Sequence, residues 1–207
     1  MSYTLYYLTG ACSLSVHTML ADLGVDYKTV ALDESEGKVG LENKEGKYQS
    51  EINPKGCAPA LVHDGIVRTE ALVIGLYLAS LFPEKLYFPT EGEEKWKALE
   101  VANYLATDLH KAHIPLFSEL AEIPQVKDFT FNKLDRSYTY LNRYLEGKQY
   151  LLGDKISPLD FYLYNIASWA GHVGYDNISK FPNIVRLQKT VGERPSALQA
   201  LKEEGLA

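Results

Sequence analysis

The first 24 residues combine an alternating strand pattern, a tight turn and an amphipathic helix, and this order strongly restricts the possible folds. Three positions, Tyr3, Leu5 and Tyr7, alternate with Thr4 and Tyr6, which is the period of a half-buried strand. Gly10 favours a tight turn. Ser13 is the expected cap of the following helix and Gly24 its expected end. The apolar positions that recur at helical spacing are Val16, Leu20 and Leu23.

A cysteine, Cys12, stands at the predicted start of this helix. Backbone N–H groups converge there and the helix dipole is positive, so the setting stabilises a thiolate. We therefore interpret Cys12 as a reactive residue. The alternative interpretation is a buried structural cysteine, which is the usual role of an isolated one.

The composition excludes several classes of protein. The chain has 207 residues, 46% of them hydrophobic, and a net charge of −6. This acidity argues against a nucleic-acid-binding protein, which usually has a basic face. Cys12 and Cys57 are too few for a disulfide framework, and no His or Cys pair has metal-ligand spacing, so we predict no metal. Without a signal peptide or an apolar run of membrane-spanning length, we expect a cytoplasmic protein that does not cross a membrane.

The first 82 residues read as a small α/β domain with mixed strand directions. Residues 27–32 form the second predicted strand, and residues 33–50 a long polar loop with at most a short helical turn. Residues 60–63 and 66–69 flank an Asp-Gly pair that favours a two-residue hairpin. A helix is predicted over residues 70–81 because apolar positions recur at its spacing.

Beyond residue 82 the strand signals nearly disappear and helical patterns dominate. We assign residues 1–82 to the α/β domain, residues 83–94 to a linker, and residues 95–207 to an all-helical domain. The fold class is therefore α/β plus all-α. The predicted helices span residues 96–113 and 124–145, begin at Ser157, and follow Pro182 and Pro195.

The start of the Ser157 helix carries a complete set of capping signals. Ser157 is the expected N-cap, Pro158 occupies the first helical position, and Asp160 can reach back to the Ser157 N–H. Ile156 and Phe161 are placed as a hydrophobic staple. We interpret this cap as important for folding and not for chemistry.

Four polar residues lie on one face of the predicted helix over residues 96–113. They are Asn103, Thr107, His110 and Lys111, at i, i+4, i+7 and i+8. A solvated helix face is the ordinary interpretation of such a stripe. A face that lines a ligand cleft is the alternative, in which His110 would orient a water, bond a thiol or act as a base.

The segment from Asn53 to Leu61 places two prolines close together before the hairpin. Such a segment leaves backbone groups exposed, so Ala58 could pair with a peptide-like ligand as an added strand would. At the next helix start, the Ala71 N–H suits a carboxylate and Glu70 could accept from an ammonium. Taken alone, Glu70 is equally an ordinary acidic residue at a helix N-terminus.

Together these segments resemble the cytosolic glutathione transferases, most closely their bacterial beta class. The resemblance covers nearly the whole chain and depends on LYYLTGACSLS, NPKGCAPAL, RTEALVIGLYL, NYLATDLHKAHIPLF and the Ser157–Asp160 cap. It implies a thioredoxin-like N-terminal domain and an all-helical C-terminal domain, usually in a homodimer. It also implies detoxification chemistry, with glutathione as co-substrate and no tightly bound cofactor.

The resemblance also assigns residues. It implies that Cys12 meets the glutathione sulfur, that Ala58 pairs with the cysteinyl part, and that Pro59 is a cis-proline. Glu70 and Ala71 would hold the γ-glutamyl end, with Ala71 in place of the serine common in the family. The helical residues implied to reach the same site are Asn103, Thr107, His110 and Lys111.

Four further assignments are implied or left open. Tyr7 and Ser13 match positions where other classes keep a catalytic hydroxyl and are reserve candidates. Lys38 is our choice for the loop lysine that contacts glutathione. Cys57, close to Pro59, is either a small side chain that fills a gap or a second redox thiol. The expected walls of the second-substrate site are Tyr104, Leu116, Phe117 and Trp169.

Three functions are consistent with this sequence. The first is a glutathione transferase that conjugates the thiol to hydrophobic electrophiles, with Cys12 and His110 as catalytic residues. The second is a glutathione-dependent thiol–disulfide oxidoreductase, because Cys12 and Ser15 form the one-thiol version of the redox motif. The third is a non-enzymatic binding module with a transferase-like fold.

Overall fold

The computed structural model describes residues 2–34 and 40–207. Within this part the chain forms two compact units, which are described separately. The first comprises Met1–Phe82 together with Glu193–Ala207, and the second Pro83–Gly192. None of the helices in the described ranges has the length and apolar character needed to cross a membrane.

The first unit is built around a mixed four-stranded sheet. Its elements are β1 (Tyr3–Tyr7), α1 (Ser13–Leu23), β2 (Tyr27–Ala31), β3 (Asp33–Glu34), β4 (Leu41–Glu42), a π-helical turn (Tyr48–Ile52), β5 (Ala60–His63), β6 (Ile66–Thr69) and α2 (Ala71–Leu81). The strand order is β2-β1-β5-β6 in the described chain. Strand β1 pairs in parallel with β2 and antiparallel with β5, and β5 pairs antiparallel with β6.

The sheet confirms the predicted strands because their local signals agree with their packing. Tyr3, Leu5 and Tyr7 are buried while the residues between them are partly exposed. Leu5 lies opposite Leu61 on β5, and both side chains are fully buried. The two strands β5 and β6 have the predicted bounds, and Asp64 and Gly65 both adopt the positive φ that a tight hairpin turn requires.

Two predictions for this unit were wrong in detail. Ser13 does not cap α1, because Cys12 is the N-cap residue and the Ser13 hydroxyl bonds the backbone of Leu8 instead. The segment 33–50 was predicted as a loop with at most a short helical turn. The π-helical turn that begins at Tyr48 agrees with this, but the antiparallel pair β3 and β4 was not predicted. These short elements lack the length that a periodic pattern needs to be recognised.

The second unit is helical throughout its regular elements. They are α3 (Gly92–Tyr104), a π-helical segment (Leu105–His110), α4 (Lys111–His113), 3-10 turns (Ile114–Phe117 and Glu119–Glu122), α5 (Pro124–Tyr144), α6 (Pro158–His172), a 3-10 turn (Asp176–Lys180) and α7 (Pro182–Gly192). Helix α3 therefore begins inside the predicted linker. The predicted helix over 96–113 is continuous in sequence but widens into π geometry at Leu105.

The capping signals at Ser157 produce the predicted structure. The Asp160 carboxylate accepts from the Ser157 N–H at 2.8 Å, from the Ser157 hydroxyl at 2.6 Å and from the Leu151 N–H at 2.7 Å. Asp160 is fully buried, and burial raises its pKa to about 6 against the opposing effect of these hydrogen bonds.

The C-terminal end differs from the predicted division of the chain. The helical domain was predicted over 95–207, whereas residues 193–207, including α8 (Pro195–Glu203), belong to the first unit. Arg194 forms a two-bond ion pair with Asp22 near the end of α1, at 2.8 and 2.9 Å. Glu204 bonds Gly10 and His17. These contacts join residues too far apart in sequence for periodicity to reveal them.

Candidate active site

Cys12 lies at the N-terminus of α1, as the strand–turn–helix pattern predicts. Its side chain is partly exposed and is a thiol, not part of a disulfide. The thiol donates to the carbonyl oxygen of Ala58 at 3.6 Å. Folding thus brings the cysteine of the first turn beside the backbone of a residue 46 positions later in the chain.

The hydroxyl groups near Cys12 are occupied by backbone contacts. Ser13 is fully buried, and its oxygen donates to Leu8 O at 3.0 Å and accepts from Leu8 N at 3.2 Å. Ser15 is also fully buried and donates to Cys12 O at 2.7 Å. Burial, reinforced by Glu204, Asp33 and Glu203, raises the pKa of Tyr7. The hydroxyl of the reserve candidate Ser13 is therefore committed to backbone contacts. For the reserve candidate Tyr7, the raised pKa disfavours the ionised form.

The segment that carries Ala58 is held by a defined set of hydrogen bonds. The Cys57 carbonyl accepts from the Tyr48 hydroxyl and from the Asn53 side chain, both at 2.7 Å. The peptide bond between Ala58 and Pro59 is cis. Cys57 itself is exposed, and its thiol donates to Lys55 O at 3.3 Å.

Glu70 and Ala71 stand at the N-terminus of α2, as predicted. Glu70 is the N-cap residue with φ 69° and ψ 114°, a conformation that favours glycine. Its carboxylate pairs with the Lys55 ammonium, which also donates to Thr69 Oγ1 at 3.0 Å. Ala71 is buried in the first turn. This corner therefore presents a cation, an anion and a helix N-terminus together.

Lys55 is a candidate that the sequence interpretation missed. Fifteen positions separate it from Glu70, and no helical or strand spacing relates the two. The signal available was its place in Asn-Pro-Lys-Gly, a turn-rich segment in which a lysine is ordinarily solvated. The lysine that was chosen, Lys38, lies outside the described residues.

The helical stripe lies where the helix of the second unit widens. Asn103 is the penultimate residue of α3, and Thr107 and His110 lie in the π-helical segment. Such segments are frequent at functional sites. Asn103, Thr107 and Lys111 are exposed, whereas His110 is partly buried. The Thr107 hydroxyl donates to Asn103 O at 3.0 Å, and the same hydroxyl lies 2.9 Å from Asp108 Oδ2.

The structure separates the roles of the two neighbouring histidines. His110 Nδ1 lies 2.5 Å from the Tyr162 hydroxyl, and the Trp169 ring stands 5.2 Å away in edge-on geometry. His113 is fully buried with Nδ1 at 2.9 Å from Leu109 O, and burial lowers its pKa to about 4. His113 is thus neutral near pH 7 and structural, while His110 keeps a partly accessible ring.

The predicted walls of the second-substrate site have different exposures. Phe117 is exposed and meets the buried Trp169 edge-on at 5.3 Å, which gives the second unit a small aromatic surface. Leu116 is buried, and the Tyr104 hydroxyl lies 3.3 Å from Ser137 Oγ. Phe117 is therefore better placed for apolar contact with a ligand than Leu116 and Trp169, which are both buried.

A separate cavity of about 450 Å³ in the second unit contains none of the predicted site residues. Lys97, Lys148 and Tyr144 are among its lining residues, and the Lys148 ammonium lies over the Tyr144 ring at 3.7 Å. Within residues 2–34 and 40–207, no group of three or more His, Cys, Asp or Glu side chains could hold a metal ion.

Comparison with known proteins matches two segments of the chain to one family. Residues 1–80 match the glutathione S-transferase N-terminal domain, and residues 107–204 match the glutathione S-transferase C-terminal domain. The chain belongs to the glutathione S-transferase family. The resemblance predicted from sequence, the enzyme class and the thioredoxin-like plus helical fold are thereby confirmed.

Individual relatives place the chain near bacterial members of the family. Glutathione S-transferase GstA of Escherichia coli O157:H7 is 34% identical over 205 residues, which cover 98% of each chain. A sphingomonad glutathione S-transferase complexed with glutathione is 31% identical with a TM-score of 0.87, covering 99% of this chain and 100% of that one. A beta-class enzyme of Sphingomonas chungbukensis is 30% identical with a TM-score of 0.85 and the same coverage.

Proposed function

We propose that this glutathione S-transferase conjugates the glutathione thiol to hydrophobic electrophiles and that Cys12 can form a mixed disulfide with glutathione. The observation that carries the proposal is the 3.6 Å contact between Cys12 Sγ and Ala58 O. It joins a cysteine at a helix N-terminus to a backbone segment suited to receive a peptide. The sphingomonad relative, solved as a complex with glutathione, supports this choice of ligand.

The first unit offers groups for the cysteinyl part and for the γ-glutamyl end of glutathione. A cysteinyl residue that pairs with the Ala58 backbone would carry its sulfur toward Cys12. The γ-glutamyl ammonium would pair with the Glu70 carboxylate. The γ-glutamyl α-carboxylate would accept a hydrogen bond from the Ala71 N–H and pair with the Lys55 ammonium. Lys55 thereby supplies a cation where Ala71 has no hydroxyl. In the ligand-free protein the Lys55 ammonium and the Glu70 carboxylate pair with each other. The ammonium and carboxylate of the γ-glutamyl group would take over these partners when glutathione binds.

The chemistry that follows is a nucleophilic displacement. The glutathione thiol loses its proton to solvent or to a nearby base, and the thiolate forms a carbon–sulfur bond as the electrophile releases its leaving group. Backbone N–H groups at the start of α1 stabilise the thiolate. Holding both reactants together supplies much of the remaining acceleration. Cys12 binds beside the sulfur in this scheme and is not consumed.

The test measures conjugation and mixed-disulfide formation in the same variants. Cys12→Ala is expected to keep substantial conjugation of glutathione to an aryl halide and to lose the adduct formed with glutathione disulfide. Cys57→Ser is the matched control, because it removes the other thiol and is expected to leave both properties intact. Absence of conjugation above the uncatalysed rate in the wild-type protein would refute the transferase assignment.

A glutathione-dependent thiol–disulfide oxidoreductase is the second candidate. It is favoured by the position of Cys12 at the start of α1, three residues before Ser15, where two-thiol redox motifs carry the second cysteine. Because Ser15 cannot resolve a mixed disulfide, a second glutathione would attack it and release glutathione disulfide. Thiol-transferase activity that exceeds conjugation and disappears in Cys12→Ala would favour this function.

Other assignments made from the sequence stay predictions. They include the homodimer, the cytoplasmic location and a role in detoxification. The contribution of Asn103, Thr107, His110 and Lys111 to glutathione binding is also a prediction. Substituting His110 by Ala and measuring KM for glutathione separately from kcat would test whether it binds the ligand or acts in the chemical step.

A further inference from the structure

The last residues of the chain contact the turn that precedes Cys12. Glu204 is buried, with 6% of its surface exposed, and its Oε2 accepts from the Gly10 N–H at 2.9 Å. Its Oε1 lies 2.9 Å from His17 Nδ1 on α1. One carboxylate therefore joins the turn before Cys12 to the helix that follows it.

Glu204 is itself held in place by its neighbours. His17 is fully buried, and its Nε2 lies 2.7 Å from the Glu203 carboxylate. Glu203 also accepts from the Tyr27 hydroxyl on β2 at 2.9 Å. The position of the Glu204 side chain is thus set by hydrogen bonds that run from His17 on α1 through Glu203 to Tyr27 on β2.

The turn between β1 and α1 is held from two sides. Ser13 bonds both backbone groups of Leu8 on the inner side, and the Ala11 N–H donates to Leu8 O at 3.0 Å. Glu204 holds Gly10, which has φ 68°, from the C-terminal side. Because Cys12 directly follows this turn, a change at Gly10 alters where its thiol stands relative to the N–H groups of α1.

We propose that Glu204 is a positioning residue for Cys12. By accepting from Gly10 it fixes the turn that holds Cys12 at the N-cap position of α1, where the helix dipole stabilises a thiolate. The effect on glutathione chemistry rests on the proposed function, whereas the effect on Cys12 does not. The reactivity of Cys12 in the protein alone is therefore the property to measure.

The experiment compares rates of Cys12 alkylation by iodoacetamide at several pH values, followed by peptide mass spectrometry. Glu204→Ala is expected to slow alkylation near pH 7 about two- to fivefold, the range that a helix terminus contributes to a nearby charge. Cys57 serves as the internal control, since its exposed thiol is alkylated in the same sample and its rate is expected to stay constant.

Conservative variants separate position from charge. Glu204→Gln keeps an oxygen for the Gly10 N–H, so its Cys12 rate is expected to match or exceed the wild-type rate. Loss of the negative charge alone favours a thiolate. Glu204→Asp keeps the charge but shortens the side chain, and it is expected to slow alkylation as Glu204→Ala does. This pair remains informative if Glu204→Ala does not fold.

A matched structural control lies at the other end of the same helix pair. Asp22→Asn weakens the bond to Arg194 about 15 Å along α1 from Cys12, and it is expected to lower stability without changing the Cys12 rate. A wild-type Cys12 rate in Glu204→Asp, or a slow rate in Glu204→Gln, would overturn the proposal. Absence of conjugation by the wild-type protein would instead refute the proposed function and leave the proposal for Glu204 standing.

Discussion

Glu70 adopts a backbone conformation that glycine tolerates and other residues rarely adopt. Its φ of 69° and ψ of 114° place it outside the regions open to residues with a Cβ atom. Such conformations cost about 1–3 kcal/mol and are concentrated at functional sites. Its side chain is exposed and pairs with Lys55, an arrangement whose contribution to stability is small. The position therefore favours a ligand role for Glu70.

Replacing Glu70 by Gly tests this interpretation. The variant is expected to gain about 1 kcal/mol in free energy of unfolding, because strain is relieved, and to raise KM for glutathione tenfold or more. Chemical denaturation and steady-state kinetics measure the two effects. Glu70→Gln is the control, which keeps the strain and removes the charge. A Glu70→Gly variant that loses stability and keeps wild-type KM would contradict the interpretation.

Helix α6 shows how a single buried residue secures an element. The Asp160 carboxylate satisfies the N–H groups of Ser157 and Leu151 and the Ser157 hydroxyl, all of which are buried or helix-terminal. Leaving a buried donor without a partner costs about 1–3 kcal/mol. The cap therefore links the start of α6 to the preceding loop, and its importance is for folding.

Asp160→Ala is expected to lower the free energy of unfolding by about 3 kcal/mol because three donors lose their acceptor. Burial raises the pKa of Asp160 from 3.8 to about 6, so its favourable contribution is fully present below pH 3.8 and is lost as pH rises through 6. The destabilisation should therefore be larger at pH 5 than at pH 8. Denaturation curves at pH 5 and pH 8 measure the destabilisation. Asp154→Ala, at an exposed position, is the control. An equal loss of free energy of unfolding in both variants would contradict the prediction.

The first and last segments of the chain are joined through a buried histidine. His17 lies between the carboxylates of Glu203 and Glu204, beside the Tyr7 ring and at an edge to the Tyr27 ring. Burial alone lowers the pKa of His17, but its bonds to Glu204 and Glu203 outweigh it, so the pKa is raised above 6.5. For Glu203, burial alone raises the pKa, but hydrogen bonds outweigh it, including the bond to His17, so the pKa of Glu203 is lowered below 4.5.

These shifts predict when the contact stabilises the molecule. The contribution of His17 is complete below pH 6.5 and is lost as pH rises through its raised pKa, while that of Glu203 is complete above pH 4.5 and is lost as pH falls. The difference in free energy of unfolding between the wild type and His17→Gln should therefore be largest between about pH 4.5 and 6.5.

Denaturation across pH 4–9 measures this difference. Arg194→Gln is the matched control, because it breaks a separate contact with α1, the ion pair with Asp22, and a guanidinium stays charged over this range. Its destabilisation should remain constant on the alkaline side, where that of His17→Gln declines. A His17→Gln difference that grows above pH 7 would contradict the assignment of a protonated histidine.

Most secondary structure could be predicted because its signals are local. The Asp-Gly hairpin, Gly24 at the end of α1 and the Ser157–Asp160 cap each lie within a few residues of the elements they define. For the same reason, the alternation in β1 indicates which of its side chains are buried. The weakest predictions concerned β3 and β4, which are too short to show a period, and the switch from α to π geometry at Leu105.

The sequence by itself determined the order of the two folds, the place of Cys12 at a helix start and the family resemblance. The tertiary structure decided which groups meet: the Cys12 thiol with Ala58 O, Lys55 with Glu70, and Glu204 with Gly10, 194 positions apart. It also separated buried His113 from partly exposed His110. The physical reason is that helix and strand periods report only near neighbours, whereas a site depends on distant segments that share one core.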